Sequence, residues 1–257
     1  MLNNSKKIIR QSPKTNGSTL LYKQVKTDLI KSLRKSEWRP GEALPSEAKL
    51  ASKYGVGIST VRAAIAELTI ANLLIKIQGK GTFVAEHNSN SDIYRFFRLI
   101  RKDGEKILPV SKLVSFSKIP NSQKSNNEFN LSDKQKQLGF YKIKNILFVD
   151  DSPTIFSTIL VPAYLFPGMT KATLLKGSST LYSVYQKSFG ITITRSSEQL
   201  VASTADALTV KNLKLNKGDS IIEINRLAYT FGGTLIEKRN SKVNTKLFYY
   251  EINEGEL

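Results

Sequence analysis

The first third of the chain reads as helices and the remainder mainly as strands. From Leu21 to Lys35, Tyr22, Val25, Leu29 and Leu33 form an apolar stripe at helical spacing. Helical patterns follow from Ser46 to Tyr54 and from about Ser59 to Ala71, with Gly55, Val56 and Gly57 between them, as a helix-turn-helix requires. In the last helix Val61, Ala64, Ile65 and Leu68 make the apolar face, which leaves Ser59, Thr60, Arg62 and Ala63 mostly free of it. Leu74 to Ile77, the turn Gln78-Gly79-Lys80-Gly81 and Thr82-Phe83-Val84 then read as strand, glycine turn, strand. A helical pair alone is ordinarily core. The hairpin directly behind it, with a lysine at its tip, makes a winged helix-turn-helix and turns the reading toward DNA.

Beyond Ala85 to Asp92, polar and small and so a domain boundary, the period changes to that of strands. Strands are expected over Lys112 to Ile119, Phe140 to Val149, Thr154 to Pro162, Ile193 to Ala202, Ser220 to Thr230 and Thr234 to Asn244. Helices are expected at Ser179 to Phe189, stopped by Gly190, and at Ala205 to Leu213; Asp150 to Pro153 and Phe231 to Gly233 read as hairpin turns. The fold class is therefore α+β, a winged helix-turn-helix followed by a mainly antiparallel sheet with packed helices. The expected divisions are a mobile arm over 1–19, a DNA-binding domain over 20–86, a linker over 87–94, and an effector-binding and dimerisation domain over 95–257.

Local chemistry sharpens the first domain. Ser46 is placed to cap its helix, with Glu47 in the first turn, and Gly57 or Ser59 to cap the next. Helix starts offer backbone N–H groups to phosphate, so either end can dock on a DNA backbone and aim the recognition helix into the major groove. Trp38 is expected as core or as a packing lid. Lys80 could belong to a nucleotide-binding glycine loop, but no full phosphate-loop pattern surrounds it, and a hairpin tip that approaches the minor groove fits better.

Composition narrows the alternatives. The 257 residues carry a net charge of +18, and 15 Lys and Arg against 6 Asp and Glu fall in the first 90. That excess suits a polyanion, although membranes and acidic polymers attract it too. No apolar run approaches the roughly 20 residues of a membrane helix, and the polar start lacks a secretory core, so a soluble cytoplasmic protein is expected. There is no cysteine and one histidine, His87. Disulfides, thiolate catalysis and histidine-based metal or triad sites within one chain are excluded, no cofactor is expected, and His87 is read as a linker residue.

Leu44 to Glu47, Leu50-Ala51, Thr60-Val61-Arg62, Ala64 and Gly79 to Val84 follow the order and spacing of the GntR signature elements LPSE, LA, TVR-A and GxGTFV. The chain thus resembles the GntR family of bacterial transcription regulators. The resemblance implies DNA contacts from Ser46, Glu47, Gly57, Ile58, Ser59, Thr60, Arg62, Gln78, Lys80 and Thr82, with Arg62 on a phosphate or a base edge. Two departures stand out. Arginines usual in the family are here Ala48 and Ile58, which offer only apolar contact, for example to a thymine methyl; an A·T-richer operator is expected.

The second half is similar to the effector domain of the HutC-type branch, the UTRA domain related to chorismate lyase. Leu160-Val161-Pro162 before Phe166 to Met169, Ser179 to Tyr182, Arg195 with Glu198, Asn225-Arg226, Tyr229 and Glu237 carry this likeness. It implies a metabolite pocket near Arg195, Glu198, Tyr229 and Glu237, each alternatively a cross-strand partner or surface charge. Two arginines and a glutamate usual in the branch fall on Asn145, Leu147 and Ser157, which weakens the case for a phosphate-bearing ligand. Ser111, Lys112, Asn145 and Ser157 remain as hydrogen-bonding groups for an uncharged or differently held effector.

The resulting expectation is a homodimeric repressor on double-stranded operator DNA, with recognition helices about one turn or a small multiple apart, released by a sugar or sugar derivative. Activation stays open at this stage. Two alternatives are an enzyme of chorismate lyase type, for which no nucleophile, metal set or paired carboxylates at diagnostic spacing are found, and a ligand-insensitive DNA binder.

Overall fold

The computed structural model describes residues 17–87, 97–105, 108–175, 180–246 and 248–251. The chain forms two compact units that divide between Glu86 and His87. The expected arm falls largely outside the described residues, but its last residues already belong to the first helix.

In the first unit, α1 (Gly17–Arg34) buries Val25, Leu29 and Leu33 against α3 (Ile58–Ile70). Lys26 and Glu67 tie the two together at 2.5 Å. Between them runs α2 (Glu47–Tyr54), which starts where the Ser46 hydroxyl accepts the Lys49 backbone N–H at 3.3 Å. It stops at Gly55, whose φ of 66° is the left-handed geometry a side chain resists. Gly57 is the N-cap of α3 and contributes no side-chain bond. Val61, Ala64, Ile65 and Leu68 are buried, as the helical period requires.

Strands β1 (Leu74–Ile77) and β2 (Gly81–Val84) pair antiparallel around a turn with Gly79 at φ 73°. The segment before α2 adds a third edge: Leu44 N–H donates to Thr82 O at 2.8 Å, and Gly41 N–H to Val84 O at 2.9 Å. Trp38 is half-buried with Lys53 Nζ 5.6 Å above its ring, so it is a lid and not core.

The second unit is built on one six-stranded antiparallel sheet. Its strands are β4 (Val110–Ile119), β5 (Phe140–Val149), β6 (Ser152–Pro162), β7 (Arg195–Thr204), β8 (Ser220–Tyr229) and β9 (Leu235–Asn244), in the spatial order β4-β5-β6-β9-β8-β7. Every neighbouring pair is antiparallel. The β5–β6 hairpin closes on Asp150 and Asp151, both at positive φ, the geometry whose twist suits a two-residue turn.

Alternation gives the sheet two different faces. One carries Tyr141, Ile143, Ile159 and Val161 and is covered by α7 (Leu181–Phe189), where Tyr185 and Phe166 lie 4.7 Å apart between ring centres. A ribbon of β3 (Leu99–Arg101) and β10 (Phe248–Tyr250) covers the rest of this face through Leu99, Phe248, Ile155 and Val243. The other face carries Ile146, Phe156 and Ile221 under α8 (Ala207–Leu213), with Leu213 fully buried. Three short helices, α4 (Gln123–Glu128), α5 (Asp133–Lys136) and α6 (Lys171–Leu175), complete the connections.

His87 corrects its expected role. It is 2% exposed and docked in the second unit, where its backbone N–H donates to Gln186 Oε1 and its Nε2 accepts the Ile193 N–H, each at 2.9 Å. An imidazole with hydrogen-bond partners is stable in a core; position beside a polar stretch does not make it a linker. Residues 88–94 of the expected linker lie outside the described residues.

Candidate functional site

The exposed surface of the first unit gathers most of the residues read from the sequence. Ser46, Gly57, Ile58, Ser59, Arg62, Gln78 and Lys80 are exposed, and Glu47 and Thr60 are partly so. Ile58 opens α3 with 45% exposure, so part of its side chain is open to contact. Thr82 does not belong to this surface. In β2 the alternation turns Thr82 and Val84 inward, and Thr82 is buried.

Glu47 is a bracket. One carboxylate oxygen accepts Arg62 Nε at 3.0 Å and Nη2 at 2.9 Å, and the other accepts Lys76 Nζ at 3.2 Å. The Arg62 hydrogen bond holds the Glu47 carboxyl below the usual carboxylate range, against a smaller opposing effect of burial. Such half-exposed pairs stabilise little, roughly 0–1 kcal/mol. What the bracket does is orient: it joins α2, α3 and the wing and holds two cations at the rim.

The second unit holds its polar groups on the face under α7 and the ribbon. A cavity of about 60 Å³ lies between β4, β5, α6 and the start of α7, lined by Ser111, Leu113, Ile143, Asn145, Leu174, Leu175, Thr180, Leu181 and Val184. Asn145 Nδ2 donates to Ser111 Oγ at 3.1 Å, while its buried Oδ1 has no partner. A second cavity of about 40 Å³ is lined by Ser157, Ser241, Arg98, Arg226, Arg239, Tyr250 and apolar neighbours. Ser157 and Ser241 hydroxyls bond at 2.9 Å.

The four residues expected around one pocket separate. Glu198 pairs with Arg226 and receives the Tyr250 hydroxyl, with Arg98 at 4.0 Å, beside the second cavity. Glu237 is fully buried and lines neither cavity. Its two oxygens accept Tyr182 Oη at 3.1 Å, Tyr185 Oη at 2.8 Å, and Arg239 Nε and Nη2 at 2.8 and 3.0 Å. Arg195 and Tyr229 are cross-strand partners, the guanidinium 4.1 Å from the ring centre, and the pairing register puts both on the opposite face. Lys112, paired with Ile146, turns to that same opposite face. Thr180 and Arg226 entered the sequence reading only inside motif matches, without a site role, and Arg239 and Ser241 did not enter it. For Thr180 a signal exists, since a threonine directly before Leu181 is a helix cap.

Burial raises the Tyr182 hydroxyl to about 12, and the Glu237 carboxylate adds to the effect. Tyr185 is raised for the same reasons. Burial disfavours the charged Arg239 guanidinium, and Glu237 together with Tyr182 and Tyr185 more than reverses this, so the group is raised. A tyrosine whose folded value lies above its unfolded 10 stabilises fully below pH 10 and loses that contribution as pH rises toward 12. The second unit is therefore expected to lose stability between about pH 10 and 12, seen as a falling thermal midpoint over that range. Among the described residues no three or more His, Cys, Asp or Glu side chains gather as a metal site would need.

The model of bacterial regulatory proteins of the gntR family matches residues 21–84, and that of the UTRA domain matches residues 104–248. The chain belongs to the GntR family, with a UTRA domain. Among its relatives, an HTH-type transcriptional regulator of Bacillus subtilis, YurK, is 29% identical over 219 residues, 84% of this chain and 88% of that one. The mannosyl-D-glycerate transport/metabolism system repressor MngR of Escherichia coli is 24% identical, over 92% of this chain and 96% of the repressor. The ligand-binding domain of a GntR-family regulator from Bordetella bronchiseptica shares the fold of the second unit, at a TM-score of 0.56 and 20% identity over 61% of this chain and 95% of the domain. These are transcriptional regulators, so the GntR-family chain is a regulator and not an enzyme. No described helix is long and apolar enough to cross a membrane.

Proposed function

We propose that this chain is a cytoplasmic, homodimeric repressor that binds operator DNA through residues 20–86 and is released by a small metabolite bound within residues 95–257, which also form the dimer. One observation carries the reading: α3 buries Val61, Ala64, Ile65 and Leu68 and leaves Ile58, Ser59 and Arg62 exposed, beside a wing whose tip lysine is exposed as well. A recognition helix needs that division between packing and presentation. Arg62 serves a phosphate or base edge, Ile58 a thymine methyl, and Lys80 the minor groove, while Glu47 positions Arg62. MngR is named for a sugar-derived compound, and a sugar or sugar derivative is the effector class proposed here.

The test is binding to the DNA upstream of the chain's own gene at fixed salt, with candidate sugars and sugar derivatives added. Release by one compound supports the proposal; tight binding that none of them relieves favours a ligand-insensitive DNA binder. Lys80→Ala is expected to weaken binding evenly across sequences and to reduce the slope of log K against log salt by about 0.9, one phosphate's worth. A salt titration of both proteins measures it, and an unchanged slope removes Lys80 from the DNA.

A further inference from the structure

The sheet face opposite α7 is open between two coverings. At one end α8 lies over Ile146 and Phe156; at the other, Phe129 and Leu131, between α4 and α5, pack on Phe140 and Leu160. Two complete rows of cross-strand partners run across the sheet between these ends. The first is Ser115, Lys144, Thr158, Asn240, Asn225 and Gln199. The second is Ser117, Lys142, Leu160, Lys238, Leu227 and Ser197. All of these side chains are partly or fully exposed, and neither row holds an acid.

The cations on this face are unusually placed. Lysine on a sheet commonly guards an edge strand against pairing and is depleted inside one, yet β5 is the second of six strands. Lys142 and Lys144 stand two steps apart on it, about 7 Å along one face. Other lysines of the face are matched: Lys238 Nζ lies 2.7 Å from Glu128, and Lys242 Nζ 2.5 Å from Asp206. Lys142, Lys144 and Lys112 on the edge have no such carboxylate among the described residues. Hydroxyls and amides fill most of the remaining floor, groups that bond phosphate oxygens without reading sequence. The residues after the first 90 carry 24 Lys and Arg against 15 Asp and Glu, an excess that the DNA-binding unit does not account for.

We infer that this face is a second nucleic-acid contact, which takes the phosphate backbone of double-stranded DNA without sequence choice. An acidic protein is the rival partner. A specific protein interface is built on an apolar or aromatic core, and the two rows offer only Leu160 and Leu227. A duplex needs no such core, and its closely spaced charges suit two lysines on one strand. The inference goes beyond the operator contact proposed above: it places DNA affinity outside residues 20–86 and depends on no effector.

The test uses the full-length chain carrying Arg62→Ala and Lys80→Ala, with a fluorescent duplex of unrelated sequence titrated across salt concentrations. Residual binding is expected. Adding Lys142→Gln and Lys144→Gln is expected to weaken it about tenfold at roughly 50 mM salt and to reduce the slope of log K against log salt by about 1.8, two phosphates' worth. Lys142→Arg with Lys144→Arg keeps both values, and Lys112→Gln, on the exposed edge strand, reduces the slope by about 0.9 alone. Circular dichroism checks the fold of each. No binding by the Arg62→Ala, Lys80→Ala chain, unchanged slopes in the folded Gln variants, or an equal loss in the Arg variant overturns the contact. Binding of polyglutamate in place of the duplex overturns the nucleic acid in favour of an acidic protein. If the unaltered chain binds no upstream DNA, the repressor reading fails while the unrelated duplex still decides this one.

Discussion

Glu237→Ala is expected to destabilise the second unit by about 3–5 kcal/mol, the usual result of removing one partner from a buried ion pair. The carboxylate is fully buried and accepts four hydrogen bonds, two from Arg239 and one each from Tyr182 and Tyr185. Alanine leaves a buried guanidinium and two buried hydroxyls without their acceptor, in a core where water cannot replace it. For a unit of this size the thermal midpoint falls by roughly 10 °C, as circular dichroism would record. Glu237→Gln keeps the side-chain shape and one acceptor oxygen, but its NH2 group faces donors and the charge is gone, so it is expected to destabilise the unit as well. The motif match assigns Glu237 to the metabolite pocket, and that assignment makes the opposite prediction: unchanged stability with a blunted effector response. Complete burial away from both cavities favours the structural role.

Arg62→Ala is expected to weaken operator binding by about 1–3 kcal/mol, roughly ten- to more than a hundredfold, while the chain stays folded. The side chain is 64% exposed and leans on Glu47, so its removal opens no cavity. Its place in the first turns of α3 is where a recognition helix meets base edges or phosphates. Electrophoretic or fluorescence titration at one salt concentration is the measurement. Binding equal to that of the unaltered chain would move the docking face elsewhere.

Much of this fold is legible in the sequence because its cues are local. The four buried positions of α3 repeat at helical spacing, Ser46 and Gly55 mark the ends of α2, and the bounds Phe140 to Val149 follow from composition and flanking turns. The residues that mislead depend on distant partners. His87 is buried by Ile193, 106 positions away, and β3 pairs with β10 across most of the second unit. Neither contact leaves a periodic trace. The division of Arg195 from Glu198 has another origin. Three steps along a strand reverse the face, so a motif spacing compatible with one pocket on a loop or helix cannot hold on β7. Thr82 is turned inward by the same parity.

The DNA-binding face itself is the central claim, and a hydroxyl-radical footprint on the upstream DNA tests it most directly. The account predicts two protected patches related by two-fold symmetry, about one helical turn or a small multiple apart, rich in A·T where Ile58 reaches the major groove, and lost in Arg62→Ala. Protection without symmetry, or a footprint that Arg62→Ala leaves intact, would contradict it.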